Sequence, residues 1–195
     1  SNQDFALLCE ALEKSNATPL VTTFSLNTFL NQETQGLNWV IPGILPQGET
    51  ILLAAQAKTG KTLLALDIAF AVLSGSQVIG ENPMTTGKVL LITSDESQNT
   101  TRRRLRARGF DLLDPSSNMK IMTALDINHL QVLEQELEDF RPQLVIIDSL
   151  TSIALNCGFS EKDVEFAKLV YRLKDLVGKY GASGILIHHE NKDKE

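Results

Sequence analysis

The sequence of 195 residues has few cysteines, few aromatic residues and no long hydrophobic segment. Its two cysteines, Cys9 and Cys157, are far apart and have no histidine near them in the sequence, which argues against a disulfide scaffold and against a zinc site. The longest apolar segment, residues 63–73, is interrupted by Asp67 and is too short to cross a bilayer, and no signal-peptide pattern opens the chain. We therefore expect a cytoplasmic protein without a membrane partner.

Basic residues are also fewer than acidic ones, with 18 Lys and Arg against 24 Asp and Glu and a net charge of -6. This balance argues against a protein that coats nucleic acid non-specifically, although it leaves room for a local basic groove. The apolar fraction of 43% and the charged fraction of 22% are ordinary for a globular protein, so the composition excludes wholesale disorder. The length is sufficient for one α/β core with an N-terminal appendage.

Residues 50–74 have the pattern of an apolar strand, a polar loop and a helix. Residues 55–62, AQAKTGKT, match the Walker A motif at every position but the first, and in this motif backbone N–H groups surround the phosphates of a nucleotide. Gly60 would let the chain approach a phosphate, Lys61 would reach the β- and γ-phosphate oxygens, and Thr62 would offer its hydroxyl to Mg²⁺. The motif predicts nucleotide contacts from Ala57, Lys58, Thr59, Gly60, Lys61, Thr62 and Leu63.

The departure from the motif is Ala55, where glycine is expected. A methyl group there is tolerated at negative φ and would clash in the left-handed region. The tripeptide GKT also arises by chance in polar turns, which is the alternative interpretation. The apolar run at residues 51–54 and the helical spacing of apolar residues at 63–72 favour nucleotide binding.

A second motif, LVIID at residues 144–148, consists of four apolar residues followed by a carboxylate. It fits the Walker B pattern, in which Asp148 would hold Mg²⁺ mostly through water, opposite the Thr62 hydroxyl. A carboxylate that ends a buried strand is a weak signal by itself. Together, the two motifs predict Mg²⁺-dependent binding of ATP.

Polar residues follow two further predicted strands, residues 89–93 and 184–187. Parallel strands deliver functional residues at their carboxyl ends, so Asp95 or Glu96 is a candidate for orienting the attacking water. The alternative is a helix N-cap, since Asp95 and Ser97 both suit the start of the next helix. Adjacent strand residues point to opposite faces, so the histidines at 188 and 189 are not expected to chelate one metal together. We expect one of them to hydrogen-bond to phosphate and the other to pack.

The remaining segments give weaker signals. Residues 3–15 predict an amphipathic docking helix, and residues 16–34, which have no sustained period, fit either an intersubunit strap or a disordered tail. Trp39 is expected either beside the phosphate loop or in the core. The basic run at 102–108 is read as a solvated helix face, or as the source of one arginine that pairs with nucleotide or a neighbouring subunit, and residues 152–161 are read as a loop.

With these residues placed, the chain from about residue 37 to 192 resembles the RecA-like ATPases, and specifically the AAA-type domains of plasmid and phage replicative helicases of the RepA kind, relatives of DnaB and KaiC. The resemblance is carried by WVIPGILPQG, AKTGKT, GKVLLITSDES with RRRLR after it, LVIIDSL and ILIHHENK. It implies an α/β P-loop NTPase fold with a mainly parallel central sheet flanked by helices. We expect a short helical extension at residues 1–36 and the RecA-like core at 37–195, with further strands beyond residue 195.

The resemblance also implies roles for individual residues. In this family the acid after the second strand activates water, and the match falls on Asp95 and Glu96, where relatives usually have Glu first, so the choice stays open. His189 matches the γ-phosphate sensor, and Lys192 or a residue beyond it would reach the nucleotide of the next subunit. Members commonly form hexameric rings with ATP between subunits and DNA in the central hole.

The function expected from these observations is Mg²⁺-dependent ATP hydrolysis in a DNA helicase or DNA replication context. Lys61, Asp95 or Glu96, and His189 would carry the reaction. The partners implied are ATP, further copies of the chain and single-stranded DNA. The alternative is a nucleotide-gated regulator or scaffold that hydrolyses ATP slowly or never, and Ala55 together with the Asp at position 95 keeps this alternative open.

Overall fold

The computed structural model describes residues 23–32, 36, 38–113, 118–126, 129–156, 158 and 163–190. The chain divides into two compact units, residues 1–36 and residues 37–195. The helix predicted at residues 3–15 and the side chain of Lys192 lie outside the described residues. No helix in the described ranges is long and apolar enough to cross a membrane.

In the first unit, the described residues form one short helix, α1 (Leu26–Leu30). Ser25 caps it, because the Ser25 side chain accepts a hydrogen bond from the backbone N–H of Thr28 at 3.1 Å. The interpretation of residues 16–34 as an aperiodic segment missed this helix, which is too short to show a helical period in the sequence.

The second unit alternates strands and helices along the chain. Its described strands are β1 (Trp39–Ile41), β2 (Leu45–Pro46), β3 (Thr50–Gln56), β4 (Val89–Thr93), β5 (Met119–Met122), β6 (Leu144–Asp148) and β7 (Ser183–Glu190). Its described helices are α2 (Lys61–Ser74), α3 (Gln98–Ala107), α4 (Leu130–Phe140), α5 (Leu150–Asn156) and α6 (Val164–Lys179), with a 3₁₀ turn at Phe110–Leu112.

Five of these strands form one parallel sheet in the order β3-β7-β6-β4-β5, and β1 pairs antiparallel with β2 outside it. The predicted parallel α/β fold is therefore confirmed. Every residue of β4 and β6 is buried, because helices cover both faces of the sheet and a strand between two layers must be apolar on both sides.

The side chains of the central strands alternate between two apolar clusters. On one face, Leu91 and Ile146 pack with α2 and with the β1–β2 hairpin. On the other face, Ile92 and Ile147 pack with α4, α5 and α6. Trp39 is half-buried, whereas its neighbour Val40 lies fully in the first cluster, so this lead-in segment packs on the core.

The register of the sheet brings the ends of its central strands to one edge. Thr93 pairs with Asp148, Asp148 pairs with Ile187, and His189 pairs with Ala55 just before the phosphate loop. Polar residues that are distant in the sequence therefore meet at the carboxyl edge, where ligands bind in open α/β sheets.

The prediction of a loop at residues 152–161 is wrong for its first part, because α5 extends to Asn156. Leu150, Ile153 and Ala154 have helical spacing and are buried, and the carbonyl of Ser149 accepts a hydrogen bond from the N–H of Ile153 at 3.2 Å. Burial of this short apolar stripe against the sheet favours the helix in a sequence that also contains serine and asparagine.

Candidate functional site

The loop between β3 and α2 contains two residues in the left-handed region, Lys58 at φ 65° and Gly60 at φ 95°. A Cβ added at Gly60 would meet nothing within 4 Å, so glycine is required there by the backbone conformation rather than by space. Ala55 is an extended residue of β3, paired with His189. Its methyl group is therefore compatible with the loop, and the departure from the motif does not distort it.

Lys61 begins α2 and is only 5% exposed. Its Nζ donates hydrogen bonds to the carbonyl oxygens of Ala55 and Gln56, each at 2.6 Å, and lies 3.4 Å from the Thr59 hydroxyl oxygen. The loop thus wraps around one ammonium group, which concentrates positive charge at the N-terminus of a helix. Helix dipole and side chain both favour an anion at this point.

Thr62 and Asp148 meet directly, although 86 positions separate them in the sequence. The Thr62 hydroxyl donates a hydrogen bond to Asp148 Oδ2 at 2.7 Å, while Asp148 Oδ1 is buried and has no hydrogen-bond partner among the described residues. The sequence predicted that these two residues would face each other across a cation. Their side chains lie within hydrogen-bond distance at the end of β6 and the start of α2.

Asp148 is 5% exposed, and this burial raises the pKa of its carboxyl group because desolvation disfavours the charged form. The neighbouring Asp95 carboxylate raises the pKa further, while the Thr62 hydrogen bond and the charges of His189 and Arg104 lower it. Burial outweighs these favourable contacts, so the ionised carboxylate lacks sufficient compensation from the protein.

Asp95 follows β4 and is held at both of its carboxylate oxygens. The Ser152 hydroxyl of α5 donates to Oδ1 at 2.6 Å, and the Nε2 atom of His189 lies 3.2 Å from Oδ2. His188, the neighbouring histidine, instead lies beside Phe166, and the two ring centroids are 5.4 Å apart. The two histidines therefore have different surroundings, as expected for adjacent residues of a strand.

Glu96 has a different set of partners from Asp95. It accepts a hydrogen bond from the Thr101 hydroxyl at 3.1 Å and forms an ion pair with Arg104 at 2.8 Å, both within α3. The N-cap of this helix is Ser97, whose side chain accepts a hydrogen bond from the backbone N–H of Thr100, so of the two capping candidates Ser97 is confirmed and Asp95 is not the cap. From the sequence, the two adjacent acids were equal candidates, and the structure distinguishes them by their partners.

Every residue predicted for the site from the sequence lines one cleft of about 660 Å³. This volume lies within the range that small-molecule ligands occupy, roughly 300–1,000 Å³. The lining residues are Ala57, Lys58, Thr59, Gly60, Lys61, Thr62, Leu63, Asp95, Glu96, Arg104, Asp148 and His189.

Arg104 and Ser152 are the residues that the sequence interpretation did not assign to the site. Arg104 belongs to the basic run, and a helical spacing of three from Thr101 is the signal that could have placed it on the inner face of α3. Its neighbour Arg108 forms an ion pair with Asp67 of α2. The basic run is therefore partly a link between two helices and not only a solvated face.

A second cavity, of about 600 Å³, adjoins the cleft and shares Leu63 and Arg104 with it. Asp67, Phe70 and Arg108 also line this cavity, which combines apolar surface with charged groups. The second cavity therefore lies next to the cleft, with Leu63 and Arg104 at the boundary between them.

The model of a family described as AAA domain matches residues 16–195. Among solved structures, the chain is similar to the KaiC-like protein PH0186 from the hyperthermophilic archaeon Pyrococcus horikoshii OT3, with 23% identity and a TM-score of 0.57 over 77% of this chain. The match covers 65% of that protein, so the chain spans less than two thirds of its length. No curated protein matches the sequence.

At 23% identity, the similarity to PH0186 shows a shared fold. The family model matches most of the chain and therefore shows the family. A phosphate loop, a facing aspartate and a parallel sheet in this arrangement suggest an ATPase. The chain therefore belongs to the AAA domain family, and its fold is that of a RecA-like P-loop ATPase domain.

Proposed function

We propose that this chain binds ATP in the cleft and hydrolyses it with the help of Mg²⁺. The observation that carries the proposal is the hydrogen bond of 2.7 Å between Thr62 and Asp148, which joins the two predicted motifs at the N-terminus of α2. A chance GKT turn would have no reason to meet a buried carboxylate from a distant strand. The converging groups match the parts that phosphoryl transfer requires, namely a phosphate cradle and two metal-facing side chains.

The phosphate groups would be bound by the backbone N–H groups of the loop and by the Lys61 ammonium. In this structure Lys61 Nζ donates to two neutral carbonyl oxygens at 2.6 Å. Phosphate binding would replace these acceptors with charged phosphate oxygens, which form stronger hydrogen bonds with the ammonium group. The remainder of the nucleotide would extend toward the second cavity, with Leu63 and Arg104 at the junction.

Mg²⁺ fits the residues at this point, because the Thr62 hydroxyl and the buried Asp148 Oδ1, which has no hydrogen-bond partner in the described part of the chain, are hard oxygen ligands at one place. When bound, the ion supplies charge neutralisation at the β- and γ-phosphates. Asp148 and Thr62 would hold it directly or through water, and a nearby cation would stabilise the ionised form of Asp148 that burial disfavours.

We propose Asp95 as the residue that orients the attacking water, with His189 beside it as a hydrogen-bond donor to the γ-phosphate. Asp95 is positioned by Ser152 and His189, whereas Glu96, which lies just before α3, is engaged by Thr101 and Arg104 of that helix. A base that is fixed by neighbouring groups loses less entropy when it holds a water in line.

Two variants test this division of roles. Asp95→Asn should reduce phosphate release strongly while ATP still binds, and Glu96→Gln should have the smaller effect on turnover. The matched pair changes one carboxylate to an amide at adjacent positions. A larger loss of turnover in Glu96→Gln than in Asp95→Asn would contradict the assignment.

We extend the proposal to a motor that assembles as a ring, commonly hexameric in the family it resembles, and acts on single-stranded DNA during replication. The support is the resemblance of residues 37–192 to the RepA-type helicases, relatives of DnaB. ATP hydrolysis should then rise when single-stranded DNA is added, and light scattering should show larger assemblies with ATP and Mg²⁺ than without them.

The alternative function is a nucleotide-gated regulator that hydrolyses ATP slowly. It is favoured by one observation: both carboxylate oxygens of Asp95 are engaged by protein groups, which leaves fewer lone pairs for a water. In that case the assembly state should change with ATP while turnover stays low and indifferent to DNA.

A further inference from the structure

Three metal-ligating side chains converge where β4, β6 and β7 end. One ligand atom from each of Asp95, Asp148 and His189 lies within 4.8 Å of the other two. Asp148 lines the cleft and is 95% buried, since only 5% of it is exposed, and its Oδ1 has no hydrogen-bond partner among the described residues. An unpartnered buried carboxylate oxygen is energetically unfavourable unless a cation or donor satisfies it.

The distance between His189 Nε2 and Asp95 Oδ2 is close to the distance between two neighbouring ligand atoms of one metal ion. In an octahedral site with bonds of about 2.1–2.2 Å, neighbouring ligand atoms are about 3 Å apart. His189 Nε2 and Asp95 Oδ2 are 3.2 Å apart, so one ion could bind both atoms with little movement of the side chains. The Ser152 hydrogen bond to the other oxygen of Asp95 orients the carboxylate, as partners of metal ligands commonly do.

The identity of the ligands selects a class of ion. Mg²⁺ and Ca²⁺ take oxygen ligands, whereas imidazole is a good ligand for divalent first-row transition ions. Two carboxylates and one imidazole suit an ion that accepts both donor types, and Mn²⁺ is such an ion. The two neighbouring carboxylates also repel each other, which a divalent ion would offset.

We propose that Asp95, Asp148 and His189 together bind a divalent first-row transition ion before any nucleotide is present. The proposal rests on the proposed function in one respect, since Asp148 also faces the Mg²⁺ site of the nucleotide cleft. It goes further by assigning His189 as a metal ligand and by making metal binding independent of ATP.

The experiment titrates Mn²⁺ into the full chain without nucleotide and measures free Mn²⁺ by electron paramagnetic resonance. We expect one bound ion per chain, and electron spin echo modulation from an imidazole ¹⁴N at the bound ion. His189→Ala should weaken Mn²⁺ binding at least tenfold and remove the ¹⁴N signal. His188→Ala is the matched control, because that ring lies near Phe166, and it should retain both the affinity and the signal.

The proposal is overturned if the wild-type chain binds no stoichiometric Mn²⁺, or if the bound ion shows no ¹⁴N coupling. The second readout needs only wild-type protein, so it remains decisive if His189→Ala fails to fold. Binding of ATP with Mg²⁺ is measured on the same preparation. Nucleotide binding without Mn²⁺ binding refutes the metal site and leaves the proposed function standing, whereas Mn²⁺ binding without nucleotide binding refutes the proposed function and supports the metal site.

Discussion

The substitution Asp148→Asn should stabilise the metal-free protein at neutral pH while it removes Mg²⁺-dependent turnover. Asparagine can keep the hydrogen bond from Thr62, because its carbonyl oxygen accepts as Oδ2 does. The change replaces a buried charge, whose desolvation costs several kcal/mol, with an unpartnered amide that costs about 1–3 kcal/mol. We expect a net gain of about 1–2 kcal/mol, which corresponds to roughly 2–8 °C in Tm for a protein of this size.

The gain should depend on pH in one direction. The pKa of Asp148 in the folded protein is raised above its ordinary value of 3.8, mainly by burial, so the folded state binds this proton more tightly than the unfolded state. The stability that the protonated group contributes is complete below about pH 3.8 and is lost as the pH rises through the raised value. The difference between variant and wild type should therefore be small in acid and largest at neutral pH.

The assay is thermal unfolding in EDTA from acid to neutral pH, followed by circular dichroism. Asp175→Asn, which changes an exposed carboxylate on α6, is the control, and its Tm should stay close to that of the wild type at each pH. Addition of Mg²⁺ with ATP should stabilise the wild type but not Asp148→Asn. A variant that is no more stable than the wild type at neutral pH, or a gain that does not vary with pH, would refute the argument that Asp148 is a poorly compensated buried charge.

Three further variants follow from the geometry. Lys61→Ala should abolish turnover and leave far-UV circular dichroism unchanged, and measurable hydrolysis would remove the site assignment. Ser152→Ala should lower turnover about tenfold, the value of roughly one hydrogen bond to a charged group, with ATP affinity unchanged because Ser152 contacts Asp95 and not the phosphate loop. Gly184→Ala should destabilise the fold by roughly 1–3 kcal/mol in urea unfolding, because the new Cβ would lie 2.6 Å from the Thr50 hydroxyl oxygen, and Thr50→Ala in the same chain should recover part of the loss. If the two substitutions change the free energy of unfolding additively in the double variant, the clash between position 184 and Thr50 is excluded.

The sheet and the phosphate loop could be predicted because their signals are local. An apolar run such as LVIID is typical of a parallel strand that is buried on both faces, and β6 is such a strand. The loop motif is likewise contained in a few consecutive residues. The helices α1 and α5 were missed since segments of five and seven residues show too little of a helical period, and α5 forms because its apolar stripe packs on the sheet.

The pairing of Thr62 with Asp148 could be predicted from the two motifs, but the partners of Asp95 and Glu96 could not, because they depend on how other helices and strands pack. Nothing near Asp95 and Glu96 in the sequence distinguishes the two acids. Their difference arises from Ser152 and His189 on one side and from Arg104 on the other. The sequence supplied the residue types at the strand ends, and packing of α3 and α5 decided which of them meet.

The position of β3 in the sheet has a consequence for how the protein is made. Within the described sheet, β3 pairs with β7 alone, in the register Thr50 to Gly184. The first strand of this sheet in the sequence is therefore connected to the other strands only by hydrogen bonds to the last described one. A ribosome releases β3 long before β7, and a nascent chain that stops short of β7 has the loop sequence without its supporting neighbour. ATP should therefore bind only to chains whose synthesis has passed Glu190, and translation arrested earlier should yield polypeptides that resin-linked ATP does not retain.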